Sequence, residues 1–113
     1  MGRRSNAINA ITRKAEDALR ALGSNVRLAR LRRRITQKDL AERMSVSPVT
    51  VAKLEKGDPS VGLSVLLMAL DVMDLVDDIA LVAHPDNDEI GKTLEDARPK
   101  KIWTRKKSKD LEF

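Results

Sequence analysis

Residues 36–57 read TQKDLAERMSVSPVTVAKLEKG, and this stretch decides the fold. Two helix-start signals, Thr36 and Ser47, each precede apolar residues at helical spacing. A hydroxyl at such a position accepts a hydrogen bond from a backbone N–H one turn into its helix. Pro48 supports the second start, because the first helical position needs no N–H, and Gly57 ends that helix. The stretch therefore predicts two short helices joined by a tight turn.

The apolar residues of this stretch give each helix an inner face. The opposite side of the second helix carries short, apolar or basic side chains, and we expect that side to meet DNA, as in a helix-turn-helix. The predicted inner residues are Leu40, Ala41, Met44, Val51 and Leu54, with Val46 filling the turn.

The composition restricts both the fold and the class of function. The chain has 113 residues, of which 42% are hydrophobic, but only one is Phe and one is Trp. We therefore expect one domain with an aliphatic core and an all-α fold. The absence of cysteine excludes disulfides and thiolate metal sites and suits a reducing cytosol. No apolar run has the length of a membrane span and nothing resembles a secretory signal, so we expect a cytoplasmic protein.

The net charge is +5, but it is divided unevenly along the chain. Residues 1–34 carry ten basic and two acidic side chains, whereas residues 76–97 carry one and seven. Residues 98–113 are basic again, with seven basic and two acidic side chains. We expect the basic ends to meet phosphate and the acidic segment to face a protein or solvent. The alternative is a soluble surface on which the charges cluster by chance.

The remaining sequence also has helical patterns. Apolar residues at steps of three or four predict one long helix from Asn6 onward, or two collinear helices that break at 23–24. Ser60 is the expected cap of a further helix. Residues 75–83 fit a helix or a short strand, and we prefer the helix. Residues 89–97 are predicted to form a short helix.

These elements divide the chain into three predicted parts. Residues 1–21 form a basic helical extension, and residues 22–83 form the helix-turn-helix domain. Residues 84–113 comprise an acidic linker, the short helix and a basic flexible tail. For this tail we rank docking on a partner protein first, contact with DNA second and a solvated end third. Trp103 and Phe113 are its expected docking anchors.

The outward residues of the second helix are the candidates for DNA contact. The amino group of Lys53 is suited to guanine O6 or N7, and Val49 to a thymine methyl group. Pro48 lies on the same side. The candidates for phosphate contact are Ser47, Thr50 and Lys56, together with Gln37, which has an adenine as its alternative target.

This stretch resembles the Xre/Cro-type helix-turn-helix of phage and bacterial repressors. The likeness rests on LAER at 40–43 and LEKG at 54–57, and it extends from about residue 22 to residue 75. It implies a five-helix, lambda-repressor-like domain that binds operator DNA as a homodimer and is not an enzyme. It also implies a structural ion pair between Arg30 and Glu55, with Arg30 touching a phosphate as well.

One pair of residues departs from the family pattern. Pro48 and Val49 stand where many relatives carry polar, base-reading side chains. We therefore expect direct base readout to be modest and DNA shape to contribute to specificity.

The flanking segments resemble HipB-type antitoxins, the partners of HipA-type kinase toxins. The likeness lies in the acidic segment, in IGKTL at 90–94 and in the closing LEF at 111–113. It implies repression of the protein's own toxin–antitoxin operon and capture of a HipA-type kinase. The alternative is a stand-alone or phage-type Xre regulator without a toxin.

No catalytic, metal or cofactor site is predicted. Asp86, Asp88 and Glu89 follow His84 in a loop, and such carboxylates are more typical of a solvated turn than of a metal site. GKT at 91–93 lacks the first glycine and the preceding strand of a phosphate-binding loop. No set of residues supports nucleophilic or acid–base catalysis, and no small-molecule ligand is expected.

Overall fold

The computed structural model describes residues 10–97, and within this range the chain is helical and has no β-strand. The all-α class predicted from the sequence is therefore confirmed. The helices are α1 (Arg13–Arg32), α2 (Gln37–Met44), α3 (Pro48–Lys56), α4 (Leu63–Val72) and α5 (Glu89–Ala97), with 3₁₀ helices at Val76–Leu81 and Pro85–Asn87.

The described residues fall into two compact units. The first runs to Asp77 and contains α1 to α4, and the second begins at Asp78 and contains α5. In the first unit α3 packs against both α1 and α2, and α4 packs against α2. In the second unit α5 contacts the 3₁₀ helix Pro85–Asn87.

The first helix differs from its prediction at its start. We expected helix from Asn6, but residues 10–12 are not helical and α1 begins at Arg13. Thr12 caps it, because its hydroxyl accepts the N–H of Ala15 at 3.1 Å. Residues 6–9 of the prediction lie outside the described range.

The possible break at 23–24 does not occur, and α1 is one helix of 20 residues. Gly23 is buried where α1 crosses α3. A Cβ added there would lie 2.6 Å from the carbonyl oxygens of both Leu54 and Glu55. The glycine therefore allows two helix backbones to approach each other closely, and this packing offsets its low helix propensity.

The helix-turn-helix has the predicted ends. Thr36 accepts the N–H of Asp39 at 3.0 Å, and Ser47 accepts the N–H of Thr50 at 3.3 Å. Gly57 ends α3 with a φ of 75°, a left-handed conformation that glycine adopts without strain. Its missing side chain also leaves room for the backbone of α1, since an added Cβ would lie 2.7 Å from the Cα of Arg20.

The core of the first unit lies among α1, α2, α3 and α4. Every predicted inner residue of α2 and α3 is buried, so this prediction is confirmed, while Val46 in the turn is half-buried. The buried apolar residues are Val26, Ile35, Leu40, Ala41, Met44, Val51, Leu54, Leu66, Ala69, Leu70 and Met73.

The prediction that Ser60 caps the next helix is wrong. The helix α4 begins two residues later, after Gly62, and has no side-chain cap. Ser60 instead bonds the carboxylate of Asp58 through its N–H at 2.8 Å and through its hydroxyl at 2.7 Å. The serine therefore stabilises the turn before α4.

Residues 76–81 form a 3₁₀ helix, so the preferred helical alternative for 75–83 is confirmed over the strand. In the second unit, α5 has the predicted bounds of Glu89–Ala97. Asp88 caps α5 by accepting the N–H of Gly91 at 3.0 Å.

Candidate nucleic-acid interface

The second helix of the motif, α3, presents a free side opposite the core. Its inner residues Val51 and Leu54 are buried, whereas Pro48, Val49 and Lys53 are exposed. Val49 retains 62% of its accessible surface, a large exposure for an aliphatic side chain. This side therefore offers an apolar side chain and a cation, and neither of them is needed to pack the core.

The cap of α3 also leaves a hydrogen-bond donor available. The hydroxyls of Ser47 and Thr50 lie 3.1 Å apart and bond each other, and Ser47 accepts the backbone N–H of Thr50. One of the two hydroxyl hydrogens is used within this pair, and the other is free to bond a phosphate oxygen. The structure thus brings these two predicted phosphate-contact residues together at the N-terminus of α3.

The cations of α3 have no internal partner. Among residues 10–97, neither Lys53 nor Lys56 takes part in an ion pair or a side-chain hydrogen bond. Lys53 lies in the middle of α3, and Lys56 is its last residue. Both ammonium groups are therefore available for the negative charge of a nucleic acid.

The inner side of α3 ends in a buried ion pair. The Nε of Arg30 donates to Oε2 of Glu55 at 2.6 Å, and its Nη2 donates to Oε1 at 3.0 Å. Its Nη1 donates to the carbonyl oxygen of Ile35 at 2.8 Å. Arg30 and Glu55 retain only 6% and 7% of their accessible surface. All three guanidinium nitrogens are engaged, so the pair fixes α3 to α1 and to the start of α2.

The hydrogen bonds that Arg30 donates to Glu55 raise the pKa of Arg30 above its ordinary value, and burial opposes them. A raised pKa favours the charged form, so the stabilisation by Arg30 is lost only when the pH rises above the range in which arginine loses its proton. The guanidinium is therefore charged under all ordinary conditions. It cannot release Glu55 by losing its proton.

Gln37, a predicted DNA contact, joins the same network. Its Nε2 donates to Oε1 of Glu55 at 3.0 Å, and its side chain is half-buried. Because a carboxylate can only accept, the amide nitrogen must face Glu55, which fixes the orientation of the amide. One N–H and the carbonyl oxygen of Gln37 remain for other partners.

A further basic group, part of the segment 1–34 that we expected to meet phosphate, lies where α1 joins α2. Arginines at the end of α1 complement the helix dipole, and Arg33 bonds the carbonyl oxygen of Ala29 at 2.9 Å. Arg34 is exposed, and its backbone is left-handed with a φ of 56°. An arginine directly after a helix end, where glycine is common, is the sequence signal for such a site.

The other features considered in the sequence are not part of this interface. In the described part of the chain, no three His, Asp or Glu side chains are grouped to hold a metal ion, and Asp86, Asp88 and Glu89 are exposed. No helix within residues 10–97 has the length and apolar character needed to cross a membrane. The docking anchors Trp103 and Phe113 lie outside the described residues.

Comparison with protein families identifies the motif within the first unit. Residues 26–77 match the family model described as helix-turn-helix. The match begins in α1, includes α2, α3 and α4, and ends at the limit of the first unit. Comparison with curated proteins and with solved structures finds no match.

Proposed function

We propose that this protein is a sequence-specific repressor. The premise is that residues 26–77 are an Xre-like helix-turn-helix domain, which indicates a DNA-binding transcriptional regulator. We further propose that it acts as a homodimer on operator DNA. A two-fold dimer would place two copies of α3 in successive major grooves, with half-sites about 34 Å apart.

The observation that carries this proposal is the free outward side of α3. The helix is held from inside by a buried core and a buried ion pair, while Val49, Lys53 and Lys56 face outward without internal partners among residues 10–97. A rigid helix with an available cation and methyl groups suits the edges of guanine and thymine in the major groove. The fold thus holds α3 in place, while the outward side of α3 takes no part in packing the core.

Phosphate contacts are assigned to the residues around this helix. Ser47 and Thr50 offer a hydroxyl hydrogen, Lys56 an ammonium group, and Gln37 its remaining amide N–H. Arg30 is different, because its nitrogens bond Glu55 and Ile35 inside the protein. Its proposed role is to hold α3. Two of its five N–H groups remain unused, but Arg30 retains only 6% of its accessible surface, so burial limits a phosphate contact.

A salt titration tests the electrostatic part of the proposal. If a dimer makes about 6–10 phosphate contacts, affinity should fall by roughly 10³–10⁵ between 50 and 200 mM salt. The measurement is fluorescence anisotropy of the full chain with a duplex from upstream of its own gene, and with a random duplex of equal length. Affinity that does not change with salt, or equal affinity for both duplexes, would contradict sequence-specific repression.

We also propose a finer role, that of the antitoxin of a toxin–antitoxin operon, bound to a HipA-type kinase. The acidic second unit supports a protein partner. From residue 78 to residue 97 it carries six acidic side chains and one basic, and it buries no side chain. Its large aliphatic residues Leu81, Val82, Ile90 and Leu94 are exposed by 58–76%. We propose that these residues form one surface, since a contiguous exposed apolar patch is typical of a protein-binding site.

Removing residues 98–113 separates the proposed roles. Loss of kinase binding with retained operator binding would assign this tail, with Trp103 and Phe113, to the partner. The opposite result would make the tail a DNA-binding arm. A gene neighbourhood without a kinase gene, together with no kinase capture by the full chain, would leave the alternative of a stand-alone or phage-type regulator.

A further inference from the structure

We propose that Arg34 binds a DNA backbone phosphate, and that the fold accepts a strained backbone conformation to keep an arginine at this position. This inference rests on the proposed DNA-binding function and adds a contact that lies outside α2 and α3. Its basis is the geometry of the junction between α1 and α2.

The helix α1 ends with a pair of backbone hydrogen bonds that require a left-handed residue. The N–H of Arg34 bonds the carbonyl oxygen of Leu31 at 3.0 Å, and the N–H of Ile35 bonds that of Arg30 at 3.3 Å. Arg34 has a φ of 56° at the position where helices usually place glycine. A side chain with a Cβ is strained there, because the Cβ approaches the following carbonyl oxygen.

The residues on both sides prevent this backbone from relaxing. Ile35 is buried in the core, and its carbonyl oxygen accepts from Nη1 of Arg30 at 2.8 Å. Arg30 is in turn locked to Glu55 by two hydrogen bonds. The conformation of Arg34 is thus imposed by its neighbours.

No contact within the described residues explains why this position carries arginine. The side chain of Arg34 is exposed and has neither a hydrogen bond nor an ion pair among residues 10–97. Strain alone does not distinguish Arg34, since Asp74 shares the conformation, but an exposed cation without an internal partner in the described range points to an external anion. A guanidinium is the group best shaped to bond two oxygens of one phosphate.

The position places this charge beside the proposed DNA contacts. Arg34 precedes Gln37 by three residues, and Gln37 is held at the first turn of α2 by Glu55. Lys38, the next residue, is exposed and also unpaired within the described range. Arg34 therefore adds an available cation close in sequence to the predicted contacts at the start of α2.

The chain provides a matched control at the end of α4. Asp74 has a φ of 62°, its N–H bonds Asp71, and the following N–H of Leu75 bonds Leu70. This is the same hydrogen-bond pattern as at Arg34. Arg34→Gly and Asp74→Gly therefore relieve the same kind of backbone strain, which is smaller at Asp74 because aspartate tolerates this conformation better, and only the first removes a cation.

The experiment measures stability and DNA binding of both variants in the full chain, with Arg34→Lys as a third variant. Arg34→Gly should raise the Tm by about 2–5 °C and Asp74→Gly by less, since relief of strain exceeds the added freedom of the unfolded chain. Only Arg34→Gly should weaken binding, by about tenfold at constant salt. The loss should be equal on upstream and random duplexes, because phosphate carries no sequence information.

The salt dependence gives a second readout that a structural role would not change. The slope of log affinity against log salt should become shallower by about one for each lost contact in Arg34→Gly and stay the same in Arg34→Lys. Unchanged affinity and slope in Arg34→Gly, with the wild-type chain still binding DNA, would overturn this inference alone. A wild-type chain that binds neither duplex would instead overturn the proposed function.

Discussion

The unit that ends at Asp77 buries Leu40 and Val51 completely, whereas the described residues from 78 to 97 leave Ile90 and Leu94 exposed by 76% and 58%. In the first unit, helix spacing directs aliphatic side chains into one shared core. In the second, α5 has similar spacing but covers none of its aliphatic residues. An amphipathic pattern therefore predicts a helix in both units, but the burial of its apolar side requires a packing partner.

The two units also treat charge differently. The first unit buries Arg30 and Glu55 together and satisfies them with neighbouring groups, whereas the ion pair of Lys92 with Glu89 in α5 is exposed. A buried pair depends on both partners, while an exposed pair is screened by water. Substitutions in the buried pair of Arg30 and Glu55 should therefore change stability, and substitutions in the exposed pair of α5 should not.

The largest effect is expected for Glu55→Ala. The change leaves the buried guanidinium of Arg30 without its partner and removes the acceptor of Gln37, so the free energy of unfolding should fall by about 3–5 kcal/mol. Urea denaturation measures the loss. Glu89→Ala in α5 is the control and should change stability by less than about 0.5 kcal/mol.

A second variant distinguishes a lost partner from a general packing defect. If the unpaired charge is responsible, Arg30→Met combined with Glu55→Leu should be more stable than Glu55→Ala alone. Equal losses in Glu55→Ala and Glu89→Ala would remove the contrast between the two ion pairs.

Leu40→Ala and Leu94→Ala make the same chemical change in the two units. Leu40 is fully buried, so its truncation leaves a cavity and should cost about 2–5 kcal/mol. Truncation of Leu94 should cost less than about 0.5 kcal/mol, because most of its surface is exposed in the folded chain. A cost above 1 kcal/mol at Leu94 would show that α5 is covered in solution, for example by another copy of the chain.

Lys53→Ala and Lys92→Ala compare exposed lysines of α3 and α5. If Lys53 bonds a guanine, its loss should weaken operator binding by about 1–3 kcal/mol and random-duplex binding by less. Lys92 lies in the acidic unit and bonds Glu89 and the carbonyl oxygen of Asp86, so its loss should leave operator binding unchanged. Equal weakening on both duplexes would make Lys53 a phosphate contact.

Local signals in the sequence were sufficient for most helix ends of the motif. Thr36, Ser47 and Gly57 each act through atoms within one helical turn, so their roles follow from residue type and spacing. The prediction for Ser60 was wrong because its hydroxyl can form a different hydrogen bond, to the carboxylate of Asp58 two residues away. Competing local bonds of this kind are common to serine and cannot be ranked from sequence alone.

Contacts between distant residues were the part that sequence reasoning missed. Gly23 looked like a possible break in α1 because the carbonyl oxygens of α3 that require it lie some thirty residues later. Gln37 looked free for DNA because its bond to Glu55 spans 18 residues. The ion pair of Arg30 with Glu55 joins residues that are 25 positions apart in the sequence. It was expected from the resemblance to a family and not from the residues themselves.

The smallest expected changes in stability come from the helix caps. Comparing the caps of α2 and α5 tests most directly how the two units differ in packing. Thr36→Ala removes the cap of α2, whose inner residues belong to the core, and should lower the free energy of unfolding by about 1 kcal/mol. Asp88→Ala removes the cap of α5, which buries no side chain. A helix of nine residues without core packing is marginal, so its loss should appear as lower helicity and faster amide exchange in α5. The urea midpoint of the first unit should stay the same in Asp88→Ala, and a shift as large as that of Thr36→Ala would mean that α5 contributes to a buried core.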